Sequence, residues 1–177
     1  LAQPNYLYRA EAAPAAGPLV SLQYALGNLK IPEAQALARG HRVTVAVIDT
    51  AIDTGHPELA GAVARAFDAV QDGATVPGNH GTAVAGIIAA RSQLAGVAPA
   101  AALLGIRAFR QRADGRDATT SAVLLRATRW ASENGAQIYN MSFTGPRDEA
   151  VRRLIENVVG KGGIVVAAAG NGGPDAP

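Results

Sequence analysis

The chain has 177 residues, which is enough for one domain with a substantial core. Its formal net charge is only +2, with 16 basic and 14 acidic residues, so the charge gives no reason to expect a nucleic-acid or membrane partner. It has no cysteine, which excludes disulfides, thiolate metal sites and a cysteine nucleophile. The longest apolar runs fall well short of the roughly 20 residues that a membrane-spanning helix needs.

The first elements are predicted from composition and local pattern. Residues 1–19 are rich in Pro and Ala without a clear period, which is typical of an extended arm or linker. The segment IPEAQALARG predicts a short helix, with Pro32 in its first turn and Gly40 at its C-terminal cap. Residues 42–48, RVTVAVI, are mostly β-branched and predict a strand buried on both faces. Three later runs have the same character: AALLGIRAF, QIYNMSF and GGIVVAAA.

Helices are predicted between the later strands. Apolar residues recur at helical spacing in two segments, Val123, Leu124, Ala127, Trp130, Ala131 and Val151, Leu154, Ile155, Val158, Val159. Alternation of strand and helix predicts an α/β fold, with a mostly parallel sheet covered by helices on its faces. In such sheets ligands bind at the carboxyl ends of the strands.

Polar residues follow these predicted strands. Asp49 ends the first strand, Ser142 follows QIYNM, and Asn171 follows IVVAAAG. A carboxylate at the end of an apolar strand needs a hydrogen-bond partner, and His80 at the start of a predicted helix is a natural one. An imidazole held in this way suits a general base, and the Asn171 amide suits a developing oxyanion. The set predicts an acyl-transfer site that lacks its nucleophile.

A dinucleotide-binding domain with a glycine-rich phosphate loop in GNGG is disfavoured. The first strand leads to Asp49 without the glycines that such a loop requires.

Five motifs resemble, in order, those of the subtilisin-like serine peptidases, or subtilases. They are VAVIDTAID around Asp49, HGTAVAG from His80, GVAP from Gly96, NMS from Asn140 and AAGN ending at Asn171. The resemblance implies a three-layer subtilisin-like sandwich and a serine endopeptidase with an Asp-His-Ser triad that acts on polypeptides. It also implies Asp49 as the orienting carboxylate, His80 as general base and acid, and Asn171 as the oxyanion-hole donor. A secreted or periplasmic location is expected with it.

The nucleophile of the family is not found in these residues. In subtilases it lies in a GTS context at the start of a later helix, and none of the five serines has that context: Ser21, Ser92, Ser121, Ser132 and Ser142. We therefore expect the chain to be the N-terminal part of a peptidase domain, truncated before the serine-bearing helix and inactive alone. The alternative is a non-catalytic subtilase-like domain that keeps a peptide-binding cleft.

The resemblance also divides the chain. PNYLYR resembles the end of a subtilase propeptide, so residues 1–19 are expected to be a propeptide tail, and 20–177 the N-terminal part of the peptidase domain of a zymogen. The signal and most of the propeptide are then absent from this chain. The strand in GGIVVAAAG is expected to leave an open sheet edge, where a complementary C-terminal fragment or a second copy would pair.

Substrate and metal residues are further expectations from the family. Ser142, Phe143, Thr144 and Gly145, with Gly115 in ADGRD, match the two segments that hold an extended peptide as an added strand. Whether Phe143 belongs to the core or sets specificity is left open. Glu58 in HPEL matches an acidic calcium ligand, but only RSQLA stands where calcium-binding members have a longer loop with asparagine. We expect no required cofactor. Because calcium takes six to eight oxygens, one carboxylate without the longer loop is a poor site, so calcium is possible for the chain but not supported at this loop.

Overall fold

Five parallel strands form the central sheet of the computed structural model, which describes residues 19–73, 76–111 and 117–169. In chain order the strands are β1 (Thr44–Asp49), β2 (Val63–Asp68), β3 (Ala102–Arg107), β4 (Arg110–Gln111), β5 (Asp117–Ala118), β6 (Ile138–Met141) and β7 (Ile164–Ala167). The sheet has the order β2-β3-β1-β6-β7, and β4 pairs with β5 in a separate antiparallel ribbon. Strand β1 is central, with β3 and β6 on its two sides. The carboxyl end of β1 is therefore a topological switch point, where such sheets bind ligands.

Helices cover both faces of this sheet. The helices are α1 (Tyr24–Asn28), α2 (Ile31–Leu37), α3 (Asn79–Ala89), α4 (Ser121–Glu133) and α5 (Glu149–Gly160), with 3₁₀ turns at Leu19–Leu22 and Pro57–Leu59. Helix α3 packs on one face and α4 and α5 on the other, whereas α1 and α2 contribute no residue to either core cluster. The Thr120 and Asp148 side chains accept backbone N–H groups at the starts of α4 and α5, which satisfies donors that have no partner within the helix. No helix of the described ranges is long and apolar enough to cross a membrane.

Strand β1 divides the core into two clusters. Its Ala46 and Ile48 belong to the cluster that includes α4 and α5, whereas Val45 and Val47 belong to the cluster that includes α3. Successive side chains of a strand point to opposite faces, so a strand covered on both faces must be apolar throughout. The predicted three-layer α/β sandwich and the doubly buried first strand are confirmed.

The predicted strands and the two later helices are also confirmed, but three details differ. Strand β7 is not buried on both faces as its apolar run predicts, since three of its four residues are exposed. Strand β2 is not predicted, because none of its residues is fully buried and it forms no apolar run. Gly40 does not cap α2, which ends at Leu37 with Ala38 as its cap. Gly40 instead has a φ of +86° and approaches Ala98 and Ala101. Of the predicted arm only Leu19 lies within the described residues, so the division at residue 20 stays a prediction.

The two edges of the described sheet differ in their cover. At β2, Phe67 stacks on Trp130 of α4, with ring centroids 4.9 Å apart and an interplanar angle of 8°. At β7, residues Ile164 and Val166 are 58% and 52% exposed. Pairing of another strand on β7 stays a prediction.

Replacement of Leu124 by Ala should lower the free energy of unfolding by about 2–5 kcal/mol, because it removes a side chain that packs in the core of the α4 face. The matched change Leu125→Ala, one position along α4, should cost less than about 1 kcal/mol, since Leu125 is 37% exposed against 8% for Leu124. Urea denaturation of both variants measures the difference. Equal losses would contradict the assignment of the inward face of α4.

Candidate active site

Asp49 is a buried carboxylate at the carboxyl end of β1. Its side chain is 4% exposed. The Oδ1 atom accepts the backbone N–H of Thr50 at 2.7 Å and lies 2.7 Å from Nδ1 of His80. A buried charge is costly unless it is paired and hydrogen-bonded, and these two contacts provide that compensation. The structure thus brings together the two residues that the motifs single out.

His80 is the second residue of α3, and its side chain is 55% exposed. An ionised carboxylate can only accept hydrogen bonds, so Nδ1 is the donor toward Asp49. In the neutral ring this leaves Nε2 unprotonated, on the side of the ring away from the carboxylate. A nitrogen with a free lone pair at a cleft can take up a proton.

A close approach between α3 and the chain after β1 sets the 2.7 Å distance between His80 Nδ1 and Asp49 Oδ1. The Gly81 N–H donates to Thr50 Oγ1 at 2.9 Å, and the Gly78 N–H donates to the Ala51 carbonyl at 2.6 Å. A Cβ on Gly81 would lie 2.3 Å from the Thr50 carbonyl oxygen, and one on Gly78 would lie 2.3 Å from Thr50 Oγ1. Both glycines therefore allow α3 to come close enough for His80 to reach Asp49.

The dyad opens onto a cleft that holds most of the predicted substrate-binding residues. A cavity of about 230 Å³ is lined by Asp49, Thr50, His80, Phe109, Asp117, Ser142, Phe143 and Thr144. A second cavity, of about 540 Å³, includes Phe143, Thr144 and Gly145 in its lining. Ser142 Oγ accepts the Asn140 side-chain amide at 2.8 Å. The roles of these residues in binding stay predictions, and Gly115 and Asn171 lie outside the described residues.

Two neighbours of the dyad are not singled out by the motifs. Phe109 lines the same cavity as His80, and its ring lies 4.9 Å from that of Phe143. Arg107 pairs with Asp49 in the β-sheet register and is buried, and its guanidinium contacts Asp68 at 3.0 Å and Asp72 at 2.6 Å. The hydrogen bond to Asp72 raises the pKa of Arg107 above its usual range. The only signal for them in the sequence is position, since both lie at or just after the carboxyl end of the strand next to β1.

Glu58 does not have the surroundings of a calcium ligand. Its carboxylate accepts the backbone N–H groups of Ser92, Gln93 and Leu94. Calcium requires converging oxygens, whereas three N–H donors face the carboxylate here. In the part of the chain that the structure describes, no three His, Cys, Asp or Glu side chains are grouped to hold a metal ion. The residues around Glu58 therefore do not fit calcium.

Comparison with known proteins settles the family. The model of the subtilase family, peptidase S8, matches residues 40–177, which is most of the chain. The chain belongs to the subtilase family. This subtilase is 34% identical to thermitase of Thermoactinomyces vulgaris, over 89% of this chain and 57% of thermitase. It is also 34% identical to a subtilisin of Bacillus pumilus, over 86% of this chain and 56% of that protein.

Solved structures agree with these matches. Fervidolysin from Fervidobacterium pennivorans, described as a keratinolytic enzyme related to subtilisin, superposes on this subtilase with a TM-score of 0.70 and 28% identity. The superposition covers 81% of this chain and 23% of fervidolysin. The subtilase chain spans about half the length of the curated relatives named above.

Gly81→Ala should destabilise this subtilase by about 1–3 kcal/mol, because the new methyl group would meet the Thr50 carbonyl, a backbone atom that cannot rotate away. Gly86→Ala in the same helix is the matched control. It has nothing within 4 Å of the added Cβ and should be neutral, or stabilising by up to about 1 kcal/mol. Thermal and urea unfolding measure both. A neutral Gly81→Ala would show that the approach of α3 to Thr50 is looser than described.

Proposed function

We propose that this chain supplies the carboxylate and the histidine of a serine endopeptidase that hydrolyses peptide bonds with an Asp-His-Ser triad. The observation that carries the proposal is the 2.7 Å contact between His80 Nδ1 and Asp49 Oδ1, with the ring more than half exposed at a cleft. Membership of the subtilase family and the match to subtilisins support the same reaction.

In the proposed mechanism, His80 Nε2 takes the proton of the nucleophilic serine as its oxygen attacks the scissile carbonyl. Asp49 keeps the imidazole in the required tautomer and stabilises the imidazolium that forms. The Asn171 side-chain amide donates to the oxyanion of the tetrahedral intermediate. His80 then passes its proton to the leaving amine, and water hydrolyses the acyl-enzyme by the same steps in reverse order.

The proposed nucleophile lies outside these 177 residues. Ser142 is the one serine that lines the cavity of the dyad, and it follows NM rather than the GT of the family's nucleophile. Its hydroxyl accepts a hydrogen bond from Asn140. A polypeptide of these 177 residues alone is therefore proposed to be inactive.

The proposed substrate is an extended polypeptide bound beside His80. It would pair with residues 142–145 on one side and with the segment that contains Gly115 on the other. The cavities lined by Phe143, Thr144 and Gly145 give room for its side chains, and the rings of Phe109 and Phe143 give one apolar wall. We propose no required cofactor for this chemistry.

The remaining proposals concern assembly and location. Strand β7 is the last strand of the described sheet, so its outer edge has no partner strand among the described residues, which favours pairing with a complementary C-terminal segment or with a second copy of the chain. Residues 1–19 are proposed to be the tail of a propeptide, so that the protein would be made as a zymogen. A secreted or periplasmic location is proposed from the family resemblance.

Fluorophosphonate labelling tests where the nucleophile lies. A polypeptide of the 177 residues should show no covalent adduct by intact mass. The complete natural protein should carry one adduct, on a serine outside these residues. Labelling of Ser142 in the 177-residue polypeptide would contradict the proposal.

Replacement of His80 by Ala in the complete natural protein should lower kcat on a peptide substrate by about 10⁴-fold or more, because the general base is lost. His41→Ala is the matched control, since His41 is exposed and does not line the cleft; it should leave kcat within about twofold. A wild-type protein that binds peptides but does not cleave them would contradict the proposal and favour a non-catalytic peptide-binding domain.

A further inference from the structure

In the loop of residues 91–97, between α3 and β3, the first four residues are attached to a single residue, Glu58. Glu58 accepts the N–H of Ser92 at 3.2 Å, of Gln93 at 2.9 Å and of Leu94 at 3.0 Å. The carbonyl oxygen of Glu58 also accepts the Arg91 N–H at 3.1 Å. Glu58 therefore holds four successive residues of the loop. Three of these hydrogen bonds go to its charged carboxylate, and such bonds are about twice as strong as neutral ones.

The N-terminal segment holds the rest of the loop. Gln23 makes a reciprocal pair with Ala95, in which its Oε1 accepts the Ala95 N–H at 2.9 Å and its Nε2 donates to the Ala95 carbonyl at 3.0 Å. Gln35 Nε2 donates to the carbonyls of Gly96 at 2.7 Å and Val97 at 3.0 Å. Every residue from 91 to 97 therefore makes a hydrogen bond to one of three side chains or to the backbone of Glu58.

The loop in turn closes the C-terminal end of α3. The N–H groups of Gly96, Val97 and Ala98 donate to the carbonyls of Ala90, Ile87 and Ile88, at 2.9, 2.9 and 2.8 Å. Carbonyls at a helix C-terminus have no partner within the helix, and these contacts satisfy three of them. The helix closed in this way is the one that carries His80 at its other end.

The charge of Glu58 is compensated by these donors. Burial alone would raise the pKa of Glu58, but the hydrogen bonds from Leu94, Gln93 and Ser92, with the nearby His56, lower it below its ordinary value. Three N–H dipoles aimed at the carboxylate produce the positive potential that a bound cation would otherwise supply. The same dipoles disfavour a cation at that place.

We infer that Glu58 and Gln23 anchor the 91–97 loop through hydrogen bonds alone, without a metal ion, and so fix the C-terminal end of the helix that carries His80. Glu58 is a positioning residue in this inference. It acts on α3 through the loop and does not touch the cleft of the dyad.

Amide hydrogen exchange in the complete natural protein tests the inference, because it reads the loop directly and does not depend on proteolytic activity. In the wild type, peptides that cover 91–97 should exchange at the same rate in EDTA and in millimolar calcium. In Glu58→Gln, exchange at Ser92, Gln93 and Leu94 should be about tenfold or more faster, because an NH₂ group replaces one acceptor and the charge is lost. Peptides that cover β1 and β3 report whether the variant is folded.

Glu156→Gln is the matched control, since Glu156 is an exposed glutamate on α5, remote in sequence from the loop, and its surface pair with Arg152 contributes little. It should leave exchange at 91–97 unchanged. Faster wild-type exchange of the loop in EDTA than in calcium would overturn the inference, and this arm needs no variant to fold. Wild-type exchange rates at 92–94 in folded Glu58→Gln would overturn it as well.

Discussion

The buried carboxylate of Asp49 is the constraint on which the arrangement of this subtilase depends. It ends the central strand at the switch point of the sheet, where its neighbours are strand ends and not solvent. A charge in that place must be hydrogen-bonded, and the partners come from the next residue and from α3. Helix α3 must therefore lie against the end of β1, which explains glycine on both sides of the Asn79-His80 pair. The same contacts that stabilise the carboxylate orient the histidine.

Much of the layered fold could be predicted from local pattern. The runs that form β1 and β3 are apolar because strands buried on both faces must be, and the stripes of α4 and α5 follow from one buried face. An apolar run also predicts β7, although most residues of that strand are exposed in the structure. The contact between Asp49 and His80 could be predicted, because a carboxylate at the end of an apolar strand needs a hydrogen-bond partner and the motifs single out both residues. The placing of Phe143 beside Phe109 needed the structure, since it depends on which strands are neighbours.

What could not be predicted depends on partners far apart in the sequence. Strand β2 is defined by its pairing with β3, because its own residues do not form the apolar run that predicts the other strands. The Arg107 cluster joins residues 35 and 39 positions apart, and the Glu58 contacts join residues 34 to 36 positions apart. Charged residues in loops resemble ordinary solvated surface until the fold shows what they face. The HPEL motif indicated an acidic residue of interest, but its partners are backbone amides, which sequence does not reveal.

The stack of Phe67 on Trp130 makes tryptophan fluorescence a probe of one contact in this subtilase. Trp130 is the single tryptophan of the chain, so its indole emission arises from one place, the seam between the edge strand β2 and helix α4. An event that separates that seam changes the polarity around the indole and shifts the emission spectrum. The indole does not line the cavity of the dyad, so ligands that bind beside His80 without moving α4 are spectroscopically silent. Indole emission should thus follow the unfolding of one edge of the described sheet independently of occupancy at the cleft.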